Sequence, residues 1–400
     1  MILQNNLPDK DRNTSFENTE VAFRYKSNDE LKESYRLYKV ISSNFLVNAG
    51  PYLRRFALNV AFPVKGLIKR KFYKQFCGGE SIRASQLVIN KLSKNGVGAV
   101  LDYCVTGKEE EVVFNATANE VVKNILKARG ASKYIPFCAF KITGLIRSVL
   151  LEKLSNDGLL NNSEKFELKK AEERIELICE KAQECDVRIM IEAEESWIQN
   201  AIDGFAIAMM LKYNKEKPIV FNTYQLYRHD KLASLKTDVL IAEKLNFFLG
   251  AKLVRGAYLE REKKRALEKG CLSPLQANKD ATDRDYNLAV KHCFDHKDKV
   301  AFVLGTHNQL SCALLVELQK TQKIPLNHKH IHYAQRFGMS DHISFNLAYA
   351  GCNVSKNIPY GPIQPVLAHL LKPSQEYSIS VKHSSEDLLF YKQEMKRRGI

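Results

Sequence analysis

From Gly96 onward, short apolar runs alternate with longer stretches whose apolar positions recur at helical spacing. The apolar runs at 97–105, 136–142, 187–191, 219–223, 249–254, 300–304, 331–333 and 354–358 predict eight strands. Between them, 164–184, 196–213, 232–246, 283–296 and 341–350 predict amphipathic helices. Eight strand–helix repeats describe a (β/α)₈ TIM-type barrel with its functional residues at the C-terminal ends of the strands. The alternative, an open dinucleotide-binding sheet, lacks its G-x-G-x-x-G turn.

The first 80 residues follow a different pattern. Ser27-Asn28-Asp29-Glu30 reads as a capping box, and Leu31, Tyr35, Leu37, Tyr38 and Ile41 continue as one helix face. Asn48-Ala49-Gly50-Pro51 predicts the end of that helix, and Phe62-Pro63 a break in the next. Cys77-Gly78-Gly79-Glu80 marks the expected boundary between a helical arm, 1–80, and the barrel with its C-terminal helix, 81–400.

Composition narrows the function classes. The chain has 400 residues, 45% of them apolar, enough for a large core but without a run of eighteen apolar residues. The polar, acid-containing N-terminus predicts neither a secretion signal nor a transit peptide. Nine cysteines without a C-x-x-C pair point to a reducing compartment, with Cys179 and Cys185 as apolar filler. A net charge of +16 favours anionic partners, nucleic acid or lipid headgroups. Between 52 and 79 lie Arg54, Arg55, Lys65, Lys69, Arg70, Lys71 and Lys74, interleaved with apolar residues and free of acids. Such a segment either lies in a membrane interface or packs its apolar face on the barrel.

Candidate chemistry gathers at the strand ends. Lys141 closes the second strand, as a snorkelling surface residue or as a cation for a carboxylate. After the third strand, Glu192 and Glu194 share one side by alternation, positioned to accept a proton or anchor a cation, or simply solvated. Gln225 offers both donor and acceptor to a flat amide-like ring edge. In Lys252-Leu253-Val254-Arg255-Gly256-Ala257-Tyr258, the small residues admit close backbone approach by a planar ligand, and the flanking cations suit phosphate or a reduced ring. Gly305-Thr306-His307-Asn308 adds three hydrogen-bonding groups after the sixth strand. His328, His330 and His332 alternate and would share one face, but no metal site is expected from them.

Taken together, IMIEAEESWIQ, NTYQLY, KLVRGAY, GTHN and Gly338-Met339-Ser340-Asp341 resemble the proline dehydrogenase family, and the similarity runs through nearly the whole chain. The resemblance implies a distorted (β/α)₈ barrel with FAD at its mouth. It implies oxidation of L-proline, or a similar cyclic amine, to Δ1-pyrroline-5-carboxylate, by hydride transfer from carbon 5 to flavin N5, with electrons passed to a membrane quinone. Gln225, Arg255, Gly256, Ala257, Thr306 and His307 would hold FAD, flanked by Ala193, Val254, Tyr258 and Glu376. Glu192 and Lys252 would form the catalytic pair, Lys252 in the flavin-side cation position. Lys141 would meet the substrate carboxylate, and Tyr258, Arg336, His369 and Lys372 would line the substrate.

Departures from the family pattern cluster on that substrate side. Glu192 replaces an Asp, Arg336 an apolar Leu, Asn357 and His369 each a Tyr, and Tyr377 an Asn. Lys372-Pro373 stands where two arginines normally clamp the carboxylate, and Pro373 predicts a bend or stop near Lys372. Two alternatives follow: a diverged or inactive FAD-binding relative, and a basic membrane- or nucleic-acid-binding protein without catalysis. Under the enzyme reading no nucleic acid partner is expected. The location is then cytoplasmic, peripheral on the inner face of a membrane.

Overall fold

The computed structural model describes residues 15–42, 64–103, 109–363, 366 and 375–400. Eight parallel strands pair in chain order and close on themselves, β1 (Gly98–Tyr103) against β8 (Val354–Tyr360). Between these lie β2 (Phe137–Phe140), β3 (Arg188–Ile191), β4 (Val220–Gln225), β5 (Leu249–Val254), β6 (Val300–Gly305) and β7 (Ile331–Arg336). All eight expected strands are present. Their ends move by a few residues, most for β7, which extends past Tyr333 and so carries Gln335 and Arg336 to the rim.

Alternation along the strands divides the core in two. One set of side chains, Val100, Phe137, Ala139, Met190, Phe221, Ala301, Val303 and Ala334, fills the barrel interior. The opposite set packs outward on the helices. In chain order these helices are α1 (Thr19–Phe23), α2 (Asn28–Ile41), α3 (Val64–Phe76), α4 (Ile82–Ser93), α5 (Glu111–Ala128), α6 (Ser148–Ser155) and α7 (Asn162–Cys185). They continue as α8 (Ser196–Tyr213), α9 (Lys231–Lys244), α10 (Leu259–Lys269), α11 (Lys279–Asp295), α12 (Gln309–Thr321), α13 (Asp341–Tyr349) and α14 (Gln375–Arg398).

The three histidines do not share a strand face. His328 and His330 precede β7, and the His330 ring sits 2.6 Å from the Lys297 carbonyl. His332 alone lies on the inward face of β7, edge-on to Phe137 at 4.9 Å. Burial, reinforced by Arg188, lowers its pKa to about 3. It is a neutral plug of the barrel floor. Cys179 and Cys185 are buried free thiols on α7.

The capping box forms as expected: the Ser27 N–H donates to Glu30 at 2.9 Å, and the Glu30 N–H to Ser27 Oγ at 3.2 Å. The Asn48–Pro51 and Phe62-Pro63 breaks lie outside the described residues. Helices α1 and α2 and the C-terminal helix clasp one another. Tyr391 of α14 packs against Phe23 at 4.6 Å and Tyr38 at 5.1 Å, and Arg398 donates to the carbonyls of Phe23 and Lys26. Of the basic 52–79 segment, only the side chains from Arg70 onward are described. There, Tyr73 and Cys77 are buried with Val366, and the Tyr73 hydroxyl donates to the Gly361 carbonyl at 2.8 Å. The segment itself is free of acids, but Glu33 of α2 lies 3.7 Å from Lys71 and 3.2 Å from Lys74. This end of the arm therefore packs on the barrel. Among the described residues, no helix is long and apolar enough to cross a membrane.

Candidate active site

The inward face of each strand, followed one or two steps past the interior cluster, delivers polar side chains to the C-terminal mouth. Phe137 and Ala139 lead to Lys141, Met190 to Glu192, Phe221 to Thr223 and Gln225, and Ala334 to Arg336. Lys252 and Gly305 arrive by the same alternation on β5 and β6.

Lys252 and Glu192 meet in this mouth. The Lys252 ammonium donates to both carboxylate oxygens, at 2.5 and 2.8 Å, and the side chains are only 10% and 13% exposed. The Glu192 N–H is fixed on the Phe140 carbonyl at 3.0 Å. Taking two charges out of water is favourable only in good geometry, and the bidentate contact provides it. The Lys141 ammonium reaches the Tyr258 hydroxyl at 3.3 Å, so the two residues expected on the substrate side are neighbours.

Glu194 does not join that pair. Its carboxylate turns back to accept from the Thr143 N–H at 3.0 Å and the Thr143 hydroxyl at 2.5 Å. Burial pushes its carboxyl up; Lys141 and Thr143 pull the other way without overcoming it. Glu194 thus locks the turn after Lys141. Its own carbonyl accepts from Gln225 Nε2 at 2.8 Å. Gln225 is 2% exposed, and its Oε1 has no protein donor. A buried acceptor without a donor is costly, and here it sits at the rim.

Arg255 is braced rather than loose. It donates to Asp283 at 2.6 Å, Thr306 Oγ1 at 2.6 Å and Ser311 Oγ at 3.0 Å, with its guanidinium 4.2 Å from the Tyr286 ring centroid. These contacts take one N–H from each nitrogen, leaving two for an anion at the rim. Gly256 follows at φ +130°, a region that disfavours side chains. A Cβ at Gly256 would also run into the Tyr227 ring, so protein packing by itself excludes a side chain here. Gly256→Ala is expected to cost about 1–3 kcal/mol through backbone strain alone. The check is the thermal midpoint of the purified protein without added ligand; an unchanged midpoint places the glycine's role at a ligand instead.

The β6 rim is equally tied. Thr306 Oγ1 accepts from the Asn308 N–H at 3.0 Å, and Asn308 caps α12 through its side chain. His307 Nδ1 lies 2.9 Å from the Ser340 hydroxyl. Val254 lines the same edge, where a Cβ on Gly305 would meet its Cγ1 at 3.0 Å. Ala193 is buried in the turn between Glu192 and Glu194, and Ala257 is half-buried ahead of Tyr258.

The fold therefore gathers Lys141, Glu192, Gln225, Lys252, Val254, Arg255, Tyr258, Thr306 and His307 at one mouth. Arg336 reaches it from β7 but is exposed, its N–H 3.5 Å from His307 Nε2. His369, Lys372 and the Pro373 bend lie outside the described residues, as does the Glu376 side chain. Asp283 and Ser311, which hold Arg255, escaped the sequence reading because both sit mid-pattern on surface helices.

A family model described as proline dehydrogenase matches residues 86–378. Proline dehydrogenase 1, mitochondrial, of Dictyostelium discoideum is 31% identical, over 93% of this chain and 73% of its own length. Its Arabidopsis thaliana namesake is 30% identical, over 84% of this chain and 76% of its own length. Among solved structures, proline utilization A from Bdellovibrio bacteriovorus, inactivated by N-propargylglycine, superposes with a TM-score of 0.70 at 17% identity. That match covers 88% of this chain but 37% of the longer protein, and carries the fold alone. With the family model spanning well over half of its length, this chain belongs to the proline dehydrogenase family.

Proposed function

We propose that the protein oxidises L-proline to Δ1-pyrroline-5-carboxylate with FAD held at the barrel mouth, passing the electrons to a membrane quinone. The observation that carries this reading is the orphaned Gln225 Oε1 facing the same mouth as the Lys252–Glu192 pair. An isoalloxazine edge carries an N–H for such an acceptor and carbonyls for nearby donors, so the donor set fits a flavin. Held there, a flavin would supply a hydride acceptor for the substrate's carbon 5.

Each protein group has a task in this scheme. Lys252 places a fixed positive charge where electron density develops, and Glu192 holds that ammonium in place. Arg255 keeps two N–H groups for an anionic part of the cofactor, with Thr306 and His307 on the adjoining rim. Ala193, Val254, Gly256 and Ala257 present backbone to the cofactor, and we keep Glu376 as a further residue of its site. Lys141 and Tyr258 meet the amino-acid end of the substrate, with Arg336, His369 and Lys372 completing its pocket. We retain 1–80 as an arm on the 81–400 barrel, and place the protein in the cytoplasm, peripheral on the membrane that carries the quinone. Co-sedimentation with anionic but not neutral vesicles is the check of that placement.

Lys372-Pro373 cannot reproduce a bidentate arginine clamp, so the relocated cation we favour is Arg336. Losing one charge-assisted contact costs about 1.5–3 kcal/mol, more than tenfold in binding. Arg336→Leu should therefore raise the KM for proline by at least about tenfold while flavin content stays the same. An unchanged KM removes Arg336 from the substrate pocket.

A further inference from the structure

Ser340 is the N-cap of α13, yet its side chain makes no capping hydrogen bond. A serine at this position ordinarily gives its oxygen to the first free N–H groups of the helix. Here the residue is instead left-handed, at φ 49° and ψ 46°, which a non-glycine residue adopts only when its surroundings enforce it. Two contacts enforce it. The Ser340 N–H donates to both carboxylate oxygens of Asp387, each at 3.1 Å, and its hydroxyl lies 2.9 Å from His307 Nδ1.

Asp387 belongs to α14, far in sequence from the rim, and is 2% exposed, as is Ser340. The His342 ring, stacked on Phe390 at 3.9 Å, flanks the carboxylate with Nδ1 at 3.5 Å. A second tie runs in parallel: the Ser344 hydroxyl donates to Gln335 at 2.7 Å, and Gln335 Nε2 donates to the Thr306 carbonyl at 3.1 Å. The first turn of α13 is therefore a hub that holds both Thr306 and His307. The Asp387 contact and the His342–Phe390 stack join it to the C-terminal helix, and of these the Asp387 contact bears on Ser340 itself.

We infer that Asp387 is a positioning residue for the cofactor rim, acting through Ser340 to fix the His307 imidazole. A consequence is that α14, which begins just after the segment assigned to the substrate, is held in register with the flavin side of the pocket. Binding on one side and the seating of α14 on the other are then coupled through one carboxylate. The inference rests on the proposed flavin role of His307.

The test is titration of the flavin-free full-length protein with FAD, using flavin fluorescence, for the wild type, His307→Ala, Asp387→Asn and the double variant. Asp387→Asn is expected to weaken FAD affinity at least tenfold. The double variant should bind no more weakly than His307→Ala, because the carboxylate acts only through that ring. Ser340→Ala, which keeps the N–H contact but removes the hydroxyl, should reproduce the loss if Asp387→Asn does not fold. Additive losses in the double variant, or undiminished affinity in both Asp387→Asn and Ser340→Ala, overturn the inference while the flavin reading stands. FAD affinity unaffected by His307→Ala, or no binding by the wild type, overturns both.

Discussion

Lys252→Met is expected to slow reduction of the bound flavin by proline about 10²–10³-fold, the usual consequence of removing one preorganised charge from a developing anion. Rapid mixing under anaerobic conditions reads this step directly. Methionine approximates the length of lysine and keeps the interior packed, so what changes is the ammonium and, with it, the counter-charge of Glu192. Flavin content should survive, because Gln225, Arg255 and Thr306 are untouched. The KM should change far less than the rate, since the ammonium is engaged by Glu192 before substrate arrives. A variant that reduces its flavin at the wild-type rate would make the Lys252–Glu192 pair a structural feature of the mouth and nothing more.

The second large effect concerns stability. Lys356 is completely buried on β8, with its ammonium 3.0 Å from Asp341 and also bonded to the Met339 carbonyl. The Tyr25 hydroxyl donates to the other Asp341 oxygen at 2.6 Å, which ties α1 and the arm to the same charge. Removing one partner of a buried pair leaves the other uncompensated, at about 3–5 kcal/mol. Lys356→Met should show that loss as a lower urea midpoint at unchanged slope. Lys356→Met combined with Asp341→Leu should recover part of it, because both charges are then gone.

Acidification provides an independent check. Burial pushes the Asp341 carboxyl up, but Lys356, Lys26 and Tyr25 override it and hold the group below the usual carboxylate range. A carboxylate depressed in the folded state stabilises the protein above its unfolded pKa, and that stabilisation is lost as pH falls through the folded value. The wild type should lose this contribution in acid. Lys356→Met, already without its principal counter-charge, should lose less.

The barrel was legible because parallel strands buried on both faces appear as apolar runs, and the helices between them keep helical spacing. Most of the mouth was legible for a related reason: strand ends deliver site residues, so Lys141, Glu192, Gln225 and Lys252 stand where an apolar run turns polar. Four things were not legible. Alternation put Glu192 and Glu194 on one side, but β3 ends at Ile191, and beyond it the chain turns Glu194 onto Thr143 instead. His328 and His330 were read into a strand that begins only at Ile331. The Gly256 exclusion by Tyr227 and the Asp387–Ser340–His307 tie join residues from separate elements, and no local pattern records such a meeting.

The most direct measurement is anaerobic titration of the purified, flavin-loaded protein with L-proline, followed by flavin absorbance and trapping of the product. The oxidised flavin band should bleach fully, with one Δ1-pyrroline-5-carboxylate formed per flavin reduced and a quinone analogue restoring the colour. Flavin that stays oxidised at tens of millimolar proline, yet bleaches with another cyclic amine such as 4-hydroxyproline, would contradict the proline reading.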